Sequence, residues 1–542
     1  MKKSIHSSRC RSEKHPRVIR GLLLGVSLAV LALLLLAVAA QAGVFWNPDG
    51  VPISRSEGNQ YYPASVSDSA GGAIITWYDY RGNNSNIYAQ RVDSSGKTLW
   101  ATNGVGIRNA SPSSAYDPQI ATDGAGGAII TWYDYRSPEG VYAQRVNPQG
   151  VVQWVADGVK VTSGSFQSQY DPQIAYDGAG GAVITWRDYR SPAGIYAQRL
   201  NGAGAALWGT AGVAVCTADS SYNRQPDIAT DGAHGAIITW QDERNGSQNL
   251  DIFAQRVDQT GAPAWTPDGI NVCTAPGKQQ SPQIASDNAG GAVITWEDSR
   301  STAQTNVYAQ RVSLSGSTLW TLNGIRVASS TGNQQSPQLT TDGSGNAIIT
   351  WEDARSNVAG IYAQKLLANG AVAPEWPAHG LAVSTGNIGH YQPVVTGDGS
   401  GGAIIAWTQG SSFYYDSGGS SGGDGISTPR VYAQQILPNG KVSPAWANNG
   451  EPVTDIDVPQ ATPTIVSDGA GGAIVAWEDY RSSNADVYAQ RVRAAASTWY
   501  LAEGTSAWGF NTYITIENPN GSDVQARITY MTPAGALAPR NV

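Results

Sequence analysis

Sulfur, histidine and charge are all scarce in this chain. Of its 542 residues only three are cysteine, two methionine, five histidine and five phenylalanine. Cys10 falls in a basic N-terminal stretch, leaving Cys216 and Cys273, each eight residues after a tryptophan (Trp208, Trp265) in successive repeats. Equivalent positions of neighbouring repeats lie beyond the ~7 Å Cα separation that a disulfide tolerates, so two packed thiols are expected rather than a bridge. Charged residues make up 14%, against a typical ~25%. Apolar text long enough to span a bilayer occurs once, at residues 21–40. A disordered chain, a coiled coil and a multi-span membrane protein are thereby excluded.

Present in excess are 63 glycines, 28 prolines, 18 tryptophans and 25 tyrosines, the composition of an all-β chain rich in turns. The net charge is −8, but residues 1–20 hold seven Lys/Arg against one Glu, so the remainder carries −14. Such acidity repels phosphate backbones and argues against nucleic acid as a partner.

The basic stretch, the uncharged apolar run Gly21 to Ala40 and Ala40-Gln41-Ala42 have the order of a secretory signal peptide. Residues 1–42 are therefore expected to direct export, to the cell surface or the medium, with cleavage after Ala42. The apolar run is also long enough to hold the chain in a membrane if uncleaved.

Internal repeats define the rest. The segment Gly127-Ala-Ile-Ile-Thr-Trp132 recurs with its tryptophan at Trp77, Trp132, Trp186, Trp240, Trp296, Trp351, Trp407 and Trp477, at intervals of 54 to 56 residues and a last one of 70. A second tryptophan (Trp46, Trp100, Trp154, Trp208, Trp265, Trp320, Trp376, Trp446) precedes each by 31 or 32 residues. One unit parses into four strands. Pro118 to Asp123 is followed by a glycine-rich hairpin turn, then come Gly127 to Asp134, Val141 to Val146, and Val151 to Val161. Four short antiparallel strands per unit of about 55 residues predict a β-propeller blade.

The text from Phe45 to Ile53 reads as a fourth strand without its first three, and Val487 to Val492 as a third strand without its fourth. The predicted fold over 43–495 is an eight-bladed propeller closed by its N-terminal strand, which removes the free edges of an open array. A monomer is expected. Trp407 and Tyr432 are 25 positions apart where other units have 10 to 13, so 411–429 is expected to be a Gly/Ser-rich excursion. Residues 496–542 are strand-and-turn text of another kind. They resemble an uncharacterised β-sandwich-like domain at the C-termini of secreted bacterial proteins, and about 45 residues are too few to complete it.

The most repeated polar signature is Trp-x-Asp-x-Arg. It gives Asp79 with Arg81, Asp134 with Arg136, Asp188 with Arg190, Asp242 with Arg244, Asp298 with Arg300, Asp353 with Arg355, and Asp479 with Arg481. With a strand period of two, Trp, Asp and Arg share one side. A feature carried by seven of eight units reads as structural: Asp holds the turn, and Arg pairs with it and stacks on an aromatic face. The Asp123-Gly-Ala-Gly-Gly127 turn offers a single carboxylate, too few oxygens for calcium, and no metal is expected. Glu297-Asp298, Glu352-Asp353 and Glu478-Asp479 read as solvated turn residues. His234, His379 and His390 sit at non-equivalent offsets, and Gly418-Gly-Ser420-Ser-Gly422 lacks the strand–turn–helix setting of a nucleophile elbow. With no unrepeated catalytic set evident, a non-enzyme is expected.

Tyr142 to Gly150, continued to Trp154, resembles the tryptophan-docking repeat of eight-bladed quinoprotein dehydrogenases, in every unit. The adjacent cysteine pair of many of those enzymes is absent here, so no cofactor is expected. The Asp-Gly-to-Trp run resembles the Asp-box of sialidases, without their spacing or arginine triad.

Function is expected where the blades differ. Three residues after the repeat tryptophan stand Tyr80, Tyr135, Tyr189, Glu243, Ser299, Ala354, Gly410 and Tyr480. In a closed ring the four tyrosines fall on consecutive blades. The connections there add Tyr61, Tyr62, Tyr116 and Tyr170. Tyrosine offers a flat apolar face with a polar tip, suited to sugar rings or a protein loop. Tyr80, Tyr135, Tyr189, Tyr480, Tyr116 and Tyr170 are thus the predicted ligand-binding residues of an exported, non-catalytic module that binds an extracellular glycan or protein. The alternatives are an extracellular carbohydrate-active hydrolase or lyase, a quinoprotein-like oxidoreductase on the same scaffold, and a structural spacer.

Overall fold

A computed structural model describes residues 43–494 except 110–111, 163–168, 219–222, 302–303, 357 and 411–427, together with the backbone of four two-residue strands between 527 and 541. The expected signal peptide, the 411–427 part of the excursion and most of the expected C-terminal domain lie outside the described residues. Among the described residues every regular element is a strand.

Eight four-stranded antiparallel blades form a ring. The first comprises Gln60–Ser67, Ala73–Asp79, Asn86–Val92 and Val105–Arg108, hydrogen-bonded in that order from the axis outward. The inner strands of all neighbouring blades pack on one another, including Gln60–Ser67 against Gln460–Ser467, so the ring closes around a central channel. Closure uses both ends of the propeller. Val51–Ser54 pairs with Asp486–Arg493, Val51 opposite Ala489, and completes the eighth blade.

The second strands are apolar almost throughout because both faces of every blade are covered by its neighbours. All eight repeat tryptophans, from Trp77 to Trp477, are fully buried between blades, each contributing a large aromatic burial.

The Trp-x-Asp-x-Arg residues organise the turn beside them. Asp79 accepts hydrogen bonds from Trp77 Nε1 (2.8 Å), Arg81 N (2.8 Å) and Arg81 Nε (2.9 Å), and the Arg81 guanidinium lies 3.5 Å from the centre of the Tyr88 ring. Arg244, Arg300 and Arg481 form the same ion pair with Asp242, Asp298 and Asp479. Arg355 does so with Asp353, donating from its backbone N (3.0 Å) and from Nε (2.8 Å), with its guanidinium 3.8 Å from the centre of the Tyr362 ring.

Arg136 and Arg190 keep the pairing but not its full geometry. Their backbone N–H groups still donate to Asp134 (2.9 Å) and Asp188 (2.8 Å), both guanidinium groups still form the ion pair, and they cover Tyr142 (3.8 Å) and Tyr196 (4.1 Å). Their Nε groups, however, make no hydrogen bond to the carboxylate of the kind that Arg81 and Arg355 make. For Asp134, Arg108 of the first blade's outer strand takes up part of that role, donating from Nε and Nη2, both at 3.1 Å. All seven Asp–Arg ion pairs are formed, with a looser fork at Arg136 and Arg190. The seventh blade has Gln409 in place of Asp, and Trp407 Nε1 is left without an acceptor.

At the opposite end of the blade, Asp123 Oδ1 accepts the N–H groups of Ala125 and Gly127 at 2.8 Å, while Oδ2 pairs with Arg145. A side chain at Gly127 would meet Val146 O at 2.3 Å, which explains the glycine. Cys216 and Cys273 are buried and unbridged.

Candidate functional site at the channel mouth

Each inner strand begins with a bulge. The residue preceding its proline has positive φ in all eight blades: Tyr62, Asp117, Asp171, Gln225, Ser281, Ser336, Gln392 and Thr462, with φ between 50 and 55°. Pairing with the second strand breaks there and resumes two residues on, as between Tyr116 and Gln119. Such a bulge re-aims the side chains around it, here at the channel mouth, on the end that carries the Trp-x-Asp-x-Arg turns.

What fills the mouth differs between the two halves of the ring. In the fifth, sixth and eighth blades the residue after the repeat tryptophan is glutamate. Glu297, Glu352 and Glu478 each accept the bulge N–H of the next blade (Ser336, Gln392, Tyr62) at 2.8 Å. Glu352 and Glu478 are buried, as are Asp298, Asp353 and Asp479. The expectation of solvated turn residues is therefore corrected: in a propeller the second face of a strand abuts the next blade rather than water.

In the other half the same column holds Tyr78, Tyr133 and Arg187, and the bulges hold Asp117 and Asp171. Here the tyrosines form one continuous network. Tyr62 stacks on Tyr78 (ring centres 5.6 Å apart), and Tyr78 meets Tyr80 (5.9 Å) and Tyr116 (5.4 Å) edge-on. Tyr116 contacts Tyr135 (5.8 Å); Tyr133 lies between Tyr135 (4.7 Å) and Tyr170 (5.0 Å); Tyr170 contacts Tyr189 (5.9 Å). Tyr80 Oη and Tyr116 Oη are 3.3 Å apart. Tyr480 is tied in through Glu478, to which it donates a hydrogen bond of 2.8 Å. Tyr62, Tyr135 and Tyr189 present their rings to solvent (57, 51 and 39% exposed), so the network has an open upper surface. Tyr133 Oη donates to Glu139, and burial pushes its hydroxyl pKa far up, keeping it a donor.

Below this surface, a cavity of about 510 Å³ opens along the channel wall, lined by Asp117, Gln119, Asp171, Gln173, Gln225, Asp227 and their prolines. The Asp171 carboxylate lies 3.5 Å from Arg187, whose guanidinium covers Tyr189 (5.1 Å) and Tyr170 (5.4 Å), joining the carboxylates to the aromatic surface. The channel wall shields Asp117 from bulk water and pushes its carboxyl above the usual range, and the negative charge of Asp171 adds to the effect. Asp227 accepts the N–H groups of Ile228 and, from the next blade, Ile284, both at 2.9 Å. Burial nevertheless pushes its carboxyl up to about 6. Among the described residues, no group of three or more His, Cys, Asp or Glu is placed to hold a metal ion.

No family model matches the chain, and no curated protein matches it. Among solved structures it is similar to puromycin hydrolase (12% identity, TM-score 0.43, covering 81% of this chain and 61% of that one). It is also similar to an ulvan lyase (10%, 0.43, covering 68% and 93%) and to an α-L-arabinofuranosidase of Fusarium graminearum (9%, 0.33, covering 83% and 98%). The chain thus spans about three-fifths of the puromycin hydrolase chain. These are likenesses of fold. The expectation of a non-enzyme is corrected by the site itself: it rested on eight-fold repetition, which does not exclude catalysis. The premise fails as well: Asp117, Asp171, Asp227 and Arg187 are an unrepeated titratable cluster.

Proposed function

We propose that the protein is a carbohydrate-active enzyme that hydrolyses glycosidic bonds of an extracellular polysaccharide at the tyrosine-rich half of the channel mouth. The observation that carries this reading is the adjacency of the aromatic surface, on the first three blades, to the unrepeated carboxylates Asp117, Asp171 and Asp227, on the second to fourth. The exposed rings of Tyr135 and Tyr189 suit stacking on sugar faces. Asp117, with its raised pKa, suits a general acid that delivers a proton to the leaving oxygen, and Asp171, beside Arg187, suits the partner carboxylate that activates water or attacks the sugar. Three carboxylates around the cavity disfavour a polyanionic chain and favour a neutral one. The export signal expected in residues 1–42 supports a substrate outside the cell.

The test is release of reducing ends from a panel of neutral polysaccharides by the purified protein. Release is expected, and Asp117→Asn or Asp171→Asn should lower it by about 100-fold or more. No release from any member of the panel, or release untouched by both substitutions, would contradict the reading.

A further inference from the structure

At each junction between blades, the first residue of an inner strand meets the start of the preceding blade's third strand. Three junctions share one arrangement. The side-chain oxygens of Gln169, Gln334 and Gln460 accept the N–H groups of Val141, Val307 and Val431 at 3.1, 3.1 and 3.0 Å. Their amide nitrogens donate to Asp188, Asp353 and Asp479 at 2.8, 2.9 and 3.4 Å. The third strands at these junctions open with Gly140, Asn306 and Arg430, none of them acidic.

Of the five junctions whose inner strand opens with glutamine, the other two depart from this arrangement, and both open the third strand with aspartate: Asp251 at the Gln279 junction, and Asp486 at the Gln60 junction. The backbone is placed as elsewhere, with Gln279 N donating to Leu250 O at 2.8 Å and Gln60 N to Ala485 O at 2.7 Å. Both glutamines are wholly buried, yet Gln279 Oε1 and Nε2 and Gln60 Oε1 have no partner, and neither does Asp251 Oδ1. Asp251 keeps one hydrogen bond, from Asn245 (2.6 Å), and Asp486 keeps one from Ser482 (3.0 Å). An ionised aspartate can only accept, so it offers a buried amide oxygen nothing; a protonated one has an O–H to donate.

We propose that Asp251 and Asp486 carry protons in the folded ring and donate them in hydrogen bonds to Gln279 and Gln60, forming two proton-held latches between blades, the second at the seam between the last blade and the first. Their surroundings agree. Burial pushes the Asp251 carboxyl from 3.8 up to about 6; Asn245 opposes the shift, Asp242 adds to it and Arg244 opposes it. Burial likewise raises Asp486, opposed by Ser482, Arg55 and Arg481 and reinforced by Asp479. Across the junctions Asp298 and Asp79 are already paired with Arg300 and Arg81. Cys273, pushed up to about 12 by burial, stays a neutral thiol.

A carboxyl that binds its proton more tightly when folded stabilises the fold fully below its unfolded pKa and loses that contribution as pH rises through the folded one. The Asp251 latch therefore acts fully below about pH 4 and weakens toward about pH 6, and the Asp486 latch likewise weakens as pH rises. The test is thermal unfolding of the full chain from about pH 4 to about pH 8, beside the double variant Asp251→Asn with Asp486→Asn, whose amides donate at every pH. Wild-type Tm should fall by roughly 2–4 °C relative to the double variant across about pH 4 to 6 and then keep a constant offset. Asp251→Gly, which removes the carboxyl as at Gly140, should remove the share of the fall that belongs to Asp251. Parallel curves would overturn the proposal. So would the absence, in wild-type protein at about pH 5, of an infrared protonated-carboxyl band that the double variant loses, a readout on wild-type protein that stands even if a variant fails to fold.

Discussion

Nine tyrosines, from Tyr61 to Tyr189, touch one another on three consecutive blades, and their roles separate by exposure. Tyr78 and Tyr133 lie under the surface and carry the network from blade to blade, whereas Tyr135 and Tyr189 face solvent. Replacing Tyr135 and Tyr189 together with Ala should therefore raise KM by about tenfold, equivalent to about 1.4 kcal/mol of stacking, and leave kcat within about twofold. Initial-rate kinetics on the best polysaccharide check this; a fall in kcat at unchanged KM would place both rings outside the binding surface. Tyr80 and Tyr116, held by each other's hydroxyls, are less available to a ligand than their place in the column suggests. Sequence reading found the outer tyrosines because their column varies around the ring. It missed Tyr78, Tyr133 and Arg187, one position before the repeated Asp, because strand alternation assigned that position to solvent.

The bulged inner strand is the element that turns a uniform repeat into a site. Its geometry is the same in all eight blades, but a glutamate latch ties the bulge to the preceding blade in one half, while Tyr and Arg leave the mouth open in the other. Removing the latch by Glu352→Ala would leave the part-buried Gln392 N–H without its acceptor and should destabilise the ring by about 1 kcal/mol in denaturant unfolding. Tyr189→Ala, on the open side, should change stability by less than about 1 kcal/mol. This division was only half legible in the sequence. Asp117 and Asp171 stand just before the proline that opens a predicted first strand, and nothing in a single strand shows that they converge with Asp227, two residues further along its own strand, on one cavity. Convergence of that kind is set by the ring, not by local propensity.

At the scale of the molecule, the repeat dictated the architecture: four strands per unit, a tryptophan sealed between every pair of blades, and an N-terminal strand whose only available partner is the last unit. Periodicity made all of this legible, since any error of register would have to recur eight times. The function was less so, because the carboxylates that differ between copies are brought to one cavity only by the ring. A ring supplies a rigid rim, and in the proposed reading four consecutive blades of that rim carry the chemistry. The most direct test is a crystal structure of Asp117→Asn soaked with an oligosaccharide from the best polysaccharide. Sugar rings stacked on Tyr135 and Tyr189, with the chain running down toward Asp171, are predicted. Sugar bound instead over the Glu297–Glu352 half of the ring, or on the outer strands, would contradict the account.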